Sequence, residues 1–348
     1  MFANTDDTLE RLAKVGYFTT REIAQTIYLA GALNKPILLQ GPAGAGKTEM
    51  ALAIKRATGI NIIRLQCFEG LTNKDAIGQY SDDLRALYLR FHQGTFDEAC
   101  HEIAGRQFFL GGPLVESLES PERCLLLIDE IDKIDHAFEA LLLEFLNDWK
   151  LTIPQLGEIT TQHPPLTIIT SNDERELGLP LLRRCIRLYI GHPTPDLEAT
   201  IVANRTPNCP RAIHYFIAGF AQALRIFPMK KPPSISEMIT LAQALDRLGL
   251  KEILDEHKDV MLPFIAKLED DRQSLLVNGR FEYFMDNARI VAKEMEARDL
   301  QLAAAKEIAD SQSRVELESA SLGELPVHKL LEDVSQLEDM ARLDGVTQ

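Results

Sequence analysis

Gly41-Pro42-Ala43-Gly44-Ala45-Gly46-Lys47-Thr48 decides how this chain is read. It follows the apolar run Ile37-Leu38-Leu39 and leads into Glu49-Met50-Ala51-Leu52-Ala53-Ile54-Lys55, a helix-forming segment. A glycine, four residues and then Gly-Lys-Thr, set between a strand and a helix, is the pattern of a phosphate-binding loop. Glycines let the backbone close around phosphate oxygens with N–H groups turned inward, and the helix N-terminus adds its positive dipole. Gly41, Pro42, Ala43, Gly44, Ala45, Gly46, Lys47, Thr48 and Glu49 are therefore the candidate nucleotide-binding residues. Lys47 is the residue expected to reach the β- and γ-phosphates and Thr48 the one expected to hold Mg²⁺.

A second signature lies downstream in Cys124-Leu125-Leu126-Leu127-Ile128-Asp129-Glu130, an unbroken apolar run that ends in acids. Such a run suits a central parallel strand covered on both faces, and ligands of open α/β sheets bind at the carboxyl ends of the strands. Asp129 is there the candidate metal contact, made through water, and Glu130 the candidate base that activates water against the γ-phosphate. The competing reading, a helix N-cap starting at these acids, loses ground once the upstream loop is considered. The run Leu166-Thr167-Ile168-Ile169-Thr170 closes in Ser171-Asn172, where the Asn172 amide is a candidate for orienting that water. Leu182-Arg183-Arg184-Cys185 then places two guanidinium groups ahead of the run Arg187-Leu188-Tyr189-Ile190. ATP and Mg²⁺ are the cofactors these residues call for.

Around the motifs, Thr19-Thr20-Arg21-Glu22 reads as a capping box that opens a first helix ending near Asn34. Asn61-Ile62-Ile63-Arg64-Leu65 reads as a strand, and Gln66 to Tyr80, with Gly70 and Gly78, as a loop. Strands separated by helical segments predict a doubly wound α/β domain with a parallel sheet over residues 1–192. The prolines of His192-Pro193-Thr194-Pro195 mark its end. Residues 193–287 read as a small helical domain, with Leu241, Ala244, Leu245 and Leu248 at helical spacing and an interruption at Lys230-Lys231-Pro232-Pro233. Residues 288–348 hold no aromatic residue and carry 13 acids against 7 bases, which predicts an acidic helical extension.

The 348 residues suffice for about two domains with cores of their own. A hydrophobic content of 45% and a charged content of 26% are those of an ordinary globular protein. No apolar run long enough to span a membrane occurs, and Met1 to Asp7 is acidic where a secretory signal is basic, so a cytoplasmic location is expected. The cysteines, Cys67, Cys100, Cys124, Cys185 and Cys209, are odd in number and lack metal-ligand spacing, which fits thiols in a reducing compartment. A net charge of -15 argues against a nucleic-acid backbone as main partner and makes protein partners the default. The eight histidines are scattered and read as core or surface residues.

Taken in order, these parts resemble the AAA+ ATPases over residues 16 to 290: Walker A at Gly41–Thr48, Walker B at Leu125–Glu130, sensor 1 at Asn172, an arginine finger at Arg183 or Arg184, then a helical lid. Within them the chain is similar to the MoxR group, and specifically to the CoxD-like maturation ATPases. The likeness rests on Ile63-Arg64-Leu65-Gln66-Cys67 with Asp75-Ala76-Ile77-Gly78, on Gly112-Pro113-Leu114, and on Lys231-Pro232-Pro233-Ser234. Leu151-Thr152-Ile153-Pro154 with Gly157-Glu158-Ile159 adds a hairpin inserted before sensor 1. Ser234-Ile235-Ser236-Glu237 offers no sensor 2 arginine; Lys230 or Lys231 standing in for it and absence of that function are the two alternatives, so no lid residue is assigned to catalysis.

The resemblance implies a homo-oligomeric ring, usually a hexamer, that hydrolyses ATP to remodel a partner protein. It further implies a von Willebrand factor A domain partner and a client enzyme that holds a metal, such as a carbon monoxide dehydrogenase-like molybdenum hydroxylase. Phe68-Glu69-Gly70-Leu71-Thr72-Asn73-Lys74 would then face the pore, with Phe68 or Leu71 gripping the client. Two other classes share the core: a nucleic-acid machine of the clamp-loader or helicase-loader type, and a P-loop kinase. The acidic balance speaks against the first, and Glu130 beside Asp129 favours water as acceptor over the second.

Overall fold

A computed structural model describes residues 1–322, with side chains as far as Leu302. Met1–Ala292 form one compact unit, and a second begins at Lys293. The strands in chain order are β1 (Ile37–Gln40), β2 (Ile62–Gln66), β3 (Gly78–Tyr80), β4 (Phe109–Gly111), β5 (Leu125–Asp129), β6 (Lys150–Ile153), β7 (Gly157–Thr160), β8 (Leu166–Ser171) and β9 (Ile186–Tyr189). Five of them make a parallel sheet in the order β2-β5-β8-β1-β9, while β3 with β4 and β6 with β7 form separate antiparallel pairs.

Every residue of β5 and β8 is buried, which is why their sequences are unbroken apolar runs instead of alternating ones. Successive side chains of a strand point to opposite faces, so the runs still divide between two cores. Leu38, Leu126, Ile128 and Ile169 pack on one side with Phe138, Leu142 and Phe145 of the helix His136–Asp148. Ile37, Leu39, Leu125, Leu127 and Ile168 pack on the other with Met50, Ala51 and Ile54 of the helix Lys47–Thr58.

Several local readings of the sequence need correction. A helix Thr5–Lys14, capped by the Asn4 side chain on the Asp7 N–H at 2.9 Å, precedes the expected first helix. The next helix, Arg21–Leu33, is capped by Thr20 on the Ile23 N–H at 3.4 Å and not by Thr19. β2 and β9 each lie one residue from the predicted strands. Gln66 to Tyr80 is not loop throughout: a capping box in which Asp75 accepts the Thr72 N–H at 2.9 Å starts a turn of helix, Asn73–Ala76, and β3 then pairs with β4. Tertiary pairing with residues 29 to 33 positions away decides that strand, and local sequence carries no sign of it.

The helical region comprises Pro195–Arg205, Arg211–Ile226, Ile235–Arg247, Lys258–Ile265, Glu269–Leu276 and Arg280–Leu322. Its polar keystone is a buried bidentate ion pair, Arg225 Nη1 and Nη2 to Glu198 at 2.6 and 2.8 Å, with Arg225 Nε donating to the Pro233 carbonyl at 2.9 Å. Burial pushes the Glu198 carboxyl up, and the guanidinium opposes that shift. The helix Arg280–Leu322 runs unbroken across position 287, where the sequence reading set a boundary. The remainder of the expected extension lies outside the described residues. Among the described residues no helix is long and apolar enough to cross a membrane.

Candidate nucleotide site

The loop Gly41–Gly46 joins β1 to the helix Lys47–Thr58 at the carboxyl edge of the sheet. Gly41 sits at φ 145, and a Cβ there would lie 2.0 Å from the Ile190 carbonyl oxygen, so only glycine lets the loop pass the segment that leaves β9. Lys47 is 6% exposed, and its Nζ donates to the Gly41 and Pro42 carbonyls, both at 2.8 Å. Burial lowers its pKa from the usual lysine value, while the charges of Asp132, Asp173, Asp129 and Glu130 hold it up. A buried ammonium bonded only to neutral carbonyls is placed to take a phosphate in their stead, while the acids around it oppose an anion that arrives without a cation.

Thr48 and Asp129 are 81 positions apart, and the fold joins them: Thr48 Oγ1 donates to Asp129 Oδ1 at 3.0 Å. Thr170, on the strand between β1 and β5, donates to the same oxygen at 2.5 Å and accepts the Glu130 N–H at 2.9 Å. Asp129 Oδ2 accepts from the Arg64 guanidinium. A hydroxyl and a carboxylate held together supply hard oxygen ligands that suit Mg²⁺ carried largely by nucleotide phosphates. Among the described residues no group of three or more His, Cys, Asp or Glu is placed to hold a metal ion.

Glu130 adopts φ 60, ψ 51, a left-handed conformation that a non-glycine residue keeps only where its surroundings enforce it. That turn directs the chain away from β5 and leaves the carboxylate half-buried, accepting from Gln66 Nε2 at 3.3 Å. Asn172, half-buried at the end of β8, donates its N–H to Asp132 Oδ1 at 3.1 Å. The fold thus gathers Lys47, Thr48, Asp129, Glu130 and Asn172 at neighbouring strand ends.

Arg183 and Arg184 are not gathered with them. They follow the short helix Leu179–Leu182 and precede β9, whose first residue donates its N–H to the Pro36 carbonyl just ahead of β1. They therefore sit at the amino edge of the sheet, about 13 Å of strand from their own phosphate loop. Arg183 is exposed, and Arg184 Nη1 donates to the Pro180 carbonyl at 2.9 Å. The Glu49 carboxylate accepts from Arg56 at 2.7 Å and from Arg205 at 2.9 Å, and Glu49 lines the cavity beside the loop. Lys230 Nζ is taken by Asp270 at the surface. In the pore-loop candidate, Phe68 is half exposed and Leu71 packs against the core.

Beside the loop lies a cavity of about 470 Å³ whose walls come from distant segments. Tyr17 and Ile23 supply the N-terminal wall, Ile190 and His192 the segment after β9, and Ile235 and Gln243 the helix Ile235–Arg247. Ala45 and Gly46 of the phosphate loop form its mouth, and a Cβ on Gly44 would meet Ser234 Cβ at 2.4 Å, so the loop tip presses on the N-terminus of that helix. The mostly apolar cavity next to a phosphate loop has the place and size for a nucleoside. Burial, with Arg225 nearby, lowers the His192 pKa to about 4. Sequence reasoning missed this cavity, and it missed Thr170, Gln66 and Arg64 as neighbours of the acids. Only the position of Arg64 and Gln66 on the strand paired with β5 marks them, and that pairing is not visible in one sequence.

Residues 36–185 match the family described as AAA domain (dynein-related subfamily). A Staphylococcus epidermidis uncharacterized protein is 27% identical over 257 residues, spanning 72% of this chain and 90% of the relative. One from Staphylococcus haemolyticus is 26% identical over the same shares. Among solved structures, the Thermotoga maritima RuvB Holliday junction branch migration motor is 19% identical, covers 78% of this chain and 74% of its own, and superposes with a TM-score of 0.43. A mutant of the same RuvB gives 19%, the same coverage and 0.45. With its five parallel strands, its phosphate loop after β1 and its helical C-terminal region, the chain has a P-loop NTPase fold, and its residues 36–185 match the AAA domain family.

Proposed function

We propose that this protein is an ATP-hydrolysing AAA+ machine of the MoxR type that remodels a partner protein. The observation that carries the reading is the direct bond between Thr48 and Asp129 at the mouth of a loop that holds Lys47 buried. Lys47 neutralises the β- and γ-phosphates, and the loop N–H groups fix their place. Thr48 and Asp129 would hold Mg²⁺ brought by the nucleotide, which would supply charge neutralisation at the phosphoryl group. Glu130 takes a proton from water at its carboxylate, and Asn172 orients that water. Arg183 or Arg184 completes the site of a neighbouring protomer, since in its own it lies at the wrong edge of the sheet. That requires a homo-oligomer, for which a hexameric ring is the proposed form.

The finer assignment rests on the Arg64-Leu65-Gln66 strand and on the β6–β7 hairpin ahead of β8, which match the MoxR pattern. The proposed partners are a von Willebrand factor A domain protein and a client enzyme that acquires a metal, with turnover in the cytoplasm. The test is phosphate release from ATP by the parent and by Lys47→Ala, each with and without DNA and with a von Willebrand factor A protein encoded nearby. Release that requires Lys47 and rises with the protein partner supports the reading. Stimulation by DNA alone would move it to the nucleic-acid machines, and a phosphorylated metabolite in place of phosphate to the kinases.

A further inference from the structure

Among the described residues that line the cavity beside the phosphate loop, Glu49 alone carries a carboxylate. It stands in the first turn of the helix Lys47–Thr58, directly after Thr48, where the phosphate loop gives way to the cavity wall. Its two oxygens are used unequally. Oε1 accepts from Arg56 Nη2 at 2.7 Å and from Arg205 Nη2 at 2.9 Å, whereas Oε2 accepts from no described residue. Arg56 lies on the same helix and Arg205 ends the helix Pro195–Arg205, so the carboxylate is held from two sides. The two guanidiniums also leave the group of three with a net positive charge, which removes the repulsion that a bare carboxylate would exert on phosphates bound at the loop. The Glu49 side chain is 34% exposed. Burial, with the Glu49 charge second, raises the pKa of Tyr17, another residue of the cavity wall, so that charge acts inside the cavity.

We infer that Glu49 reads the sugar of the nucleotide, its Oε2 accepting from ribose hydroxyls and so selecting ribonucleotides over their deoxy counterparts. This rests on the reading of the loop and cavity as a nucleotide site. With phosphates on the loop and the base in the cavity, the sugar lies between them, and Glu49 is the residue at which loop and cavity meet. Ribose hydroxyls that leave water need acceptors, and a carboxylate is an acceptor only, with lone pairs to spare beside the two guanidinium bonds. A sugar without hydroxyls takes water from that oxygen and returns no hydrogen bond, a loss that is greater for a charged acceptor than for a neutral one. Arg205 is then a positioning residue that acts through Glu49, and it ties recognition of the sugar to the helix Pro195–Arg205.

The experiment is a calorimetric titration of the full chain with ADP and with 2′,3′-dideoxy-ADP, both in the presence of Mg²⁺, for the parent, Glu49→Ala, Glu49→Gln and Arg205→Gln. The parent should bind ADP about ten- to a hundredfold more tightly than the dideoxy analogue, the scale of a hydrogen bond to a charged acceptor. Glu49→Ala should bring ADP to within about threefold of the analogue and leave the affinity for the analogue itself within about threefold of the parent's, which also shows that the variant is folded. Glu49→Gln keeps a neutral acceptor oxygen and should retain part of the preference. Arg205→Gln leaves the carboxylate in place with one fewer tether and should lose part of it. Equal weakening of both nucleotides in Glu49→Ala would overturn the inference and make Glu49 a tie between two helices. A parent that binds both nucleotides alike would overturn it as well, and either result leaves the nucleotide reading intact. A parent that binds neither would overturn both.

Discussion

The two ends of the nucleotide site are built in opposite ways. The phosphate end is one contiguous octapeptide plus two acids, and its parts are polar, buried and tied by short bonds: Lys47 to the Gly41 and Pro42 carbonyls, Thr48 and Thr170 to Asp129. The end we assign to the base is a mostly apolar cavity whose walls come from residues as far apart as Gly16 and Gln243. Chemistry dictates the first, because charge neutralisation and metal binding admit few residue types. Shape dictates the second, because many apolar side chains can line a cavity of the same volume. Tolerance to substitution should therefore differ sharply between them.

The largest effects are expected at the phosphate end and across protomers. Replacing both Arg183 and Arg184 by alanine should lower kcat by about 10³–10⁵ if the pair supplies the finger of a neighbouring site. Mixing that double variant with Lys47→Ala should restore part of the activity, and full activity of the double variant alone would falsify the shared site. Glu130→Gln should leave ATP affinity within about threefold and lower kcat by about 10²–10⁴, as loss of a general base does. Equal losses of binding and turnover would show that Glu130 shapes the site instead of serving as base.

Next come two substitutions that reach the base end from behind. Arg225→Ala leaves the buried Glu198 carboxylate without its partner and should cost about 3–5 kcal/mol in denaturant unfolding. Arg225 supports Pro233, next to the helix that walls the cavity, so nucleotide affinity should drop with it. Gly44→Ala puts a Cβ at φ 76 against Ser234 and should cost about 1–3 kcal/mol while weakening nucleotide binding. Affinity unchanged by Gly44→Ala would mean that the loop and the helix Ile235–Arg247 do not need to touch.

The smallest effect is a pH dependence set by His192. Its pKa falls from 6.5 to about 4 in the folded chain, so the unfolded chain binds the extra proton between those values. The stability this histidine contributes is complete above about pH 6.5 and is lost as the pH falls toward 4. Discounted for partial solvent screening, the loss should be about 1–2 kcal/mol, read as the difference between the pH profiles of the parent and His192→Phe. Superimposable profiles would show that His192 is hydrated in the folded protein.

What could be read without the fold follows the same division. Gly41 to Thr48, Asp129-Glu130 and the run ending at Asn172 are local patterns, and the helix Ile235–Arg247 follows from the spacing of Leu241, Ala244 and Leu245. The β3–β4 pair escaped because it joins residues 29 to 33 apart by backbone hydrogen bonds that impose no side-chain pattern. Thr20 displaced Thr19 as cap because the choice between adjacent hydroxyls depends on backbone angles, not composition.

The sequence by itself determined the phosphate loop, the acids that follow a central strand, and therefore the nucleotide class, since the spacing and residue types those groups require are written in consecutive positions. Only the tertiary structure decided the rest. It brought Arg64 onto Asp129, set Thr170 between the loop and the acids, held Arg183 and Arg184 away from their own loop, and closed a cavity from four distant segments. The physical reason is strand order: in the sequence β2-β5-β8-β1-β9, paired neighbours are separated by up to about 150 residues of chain, as Ile37 is from Ile186, and parallel pairing fixes them by backbone bonds that any apolar sequence can make.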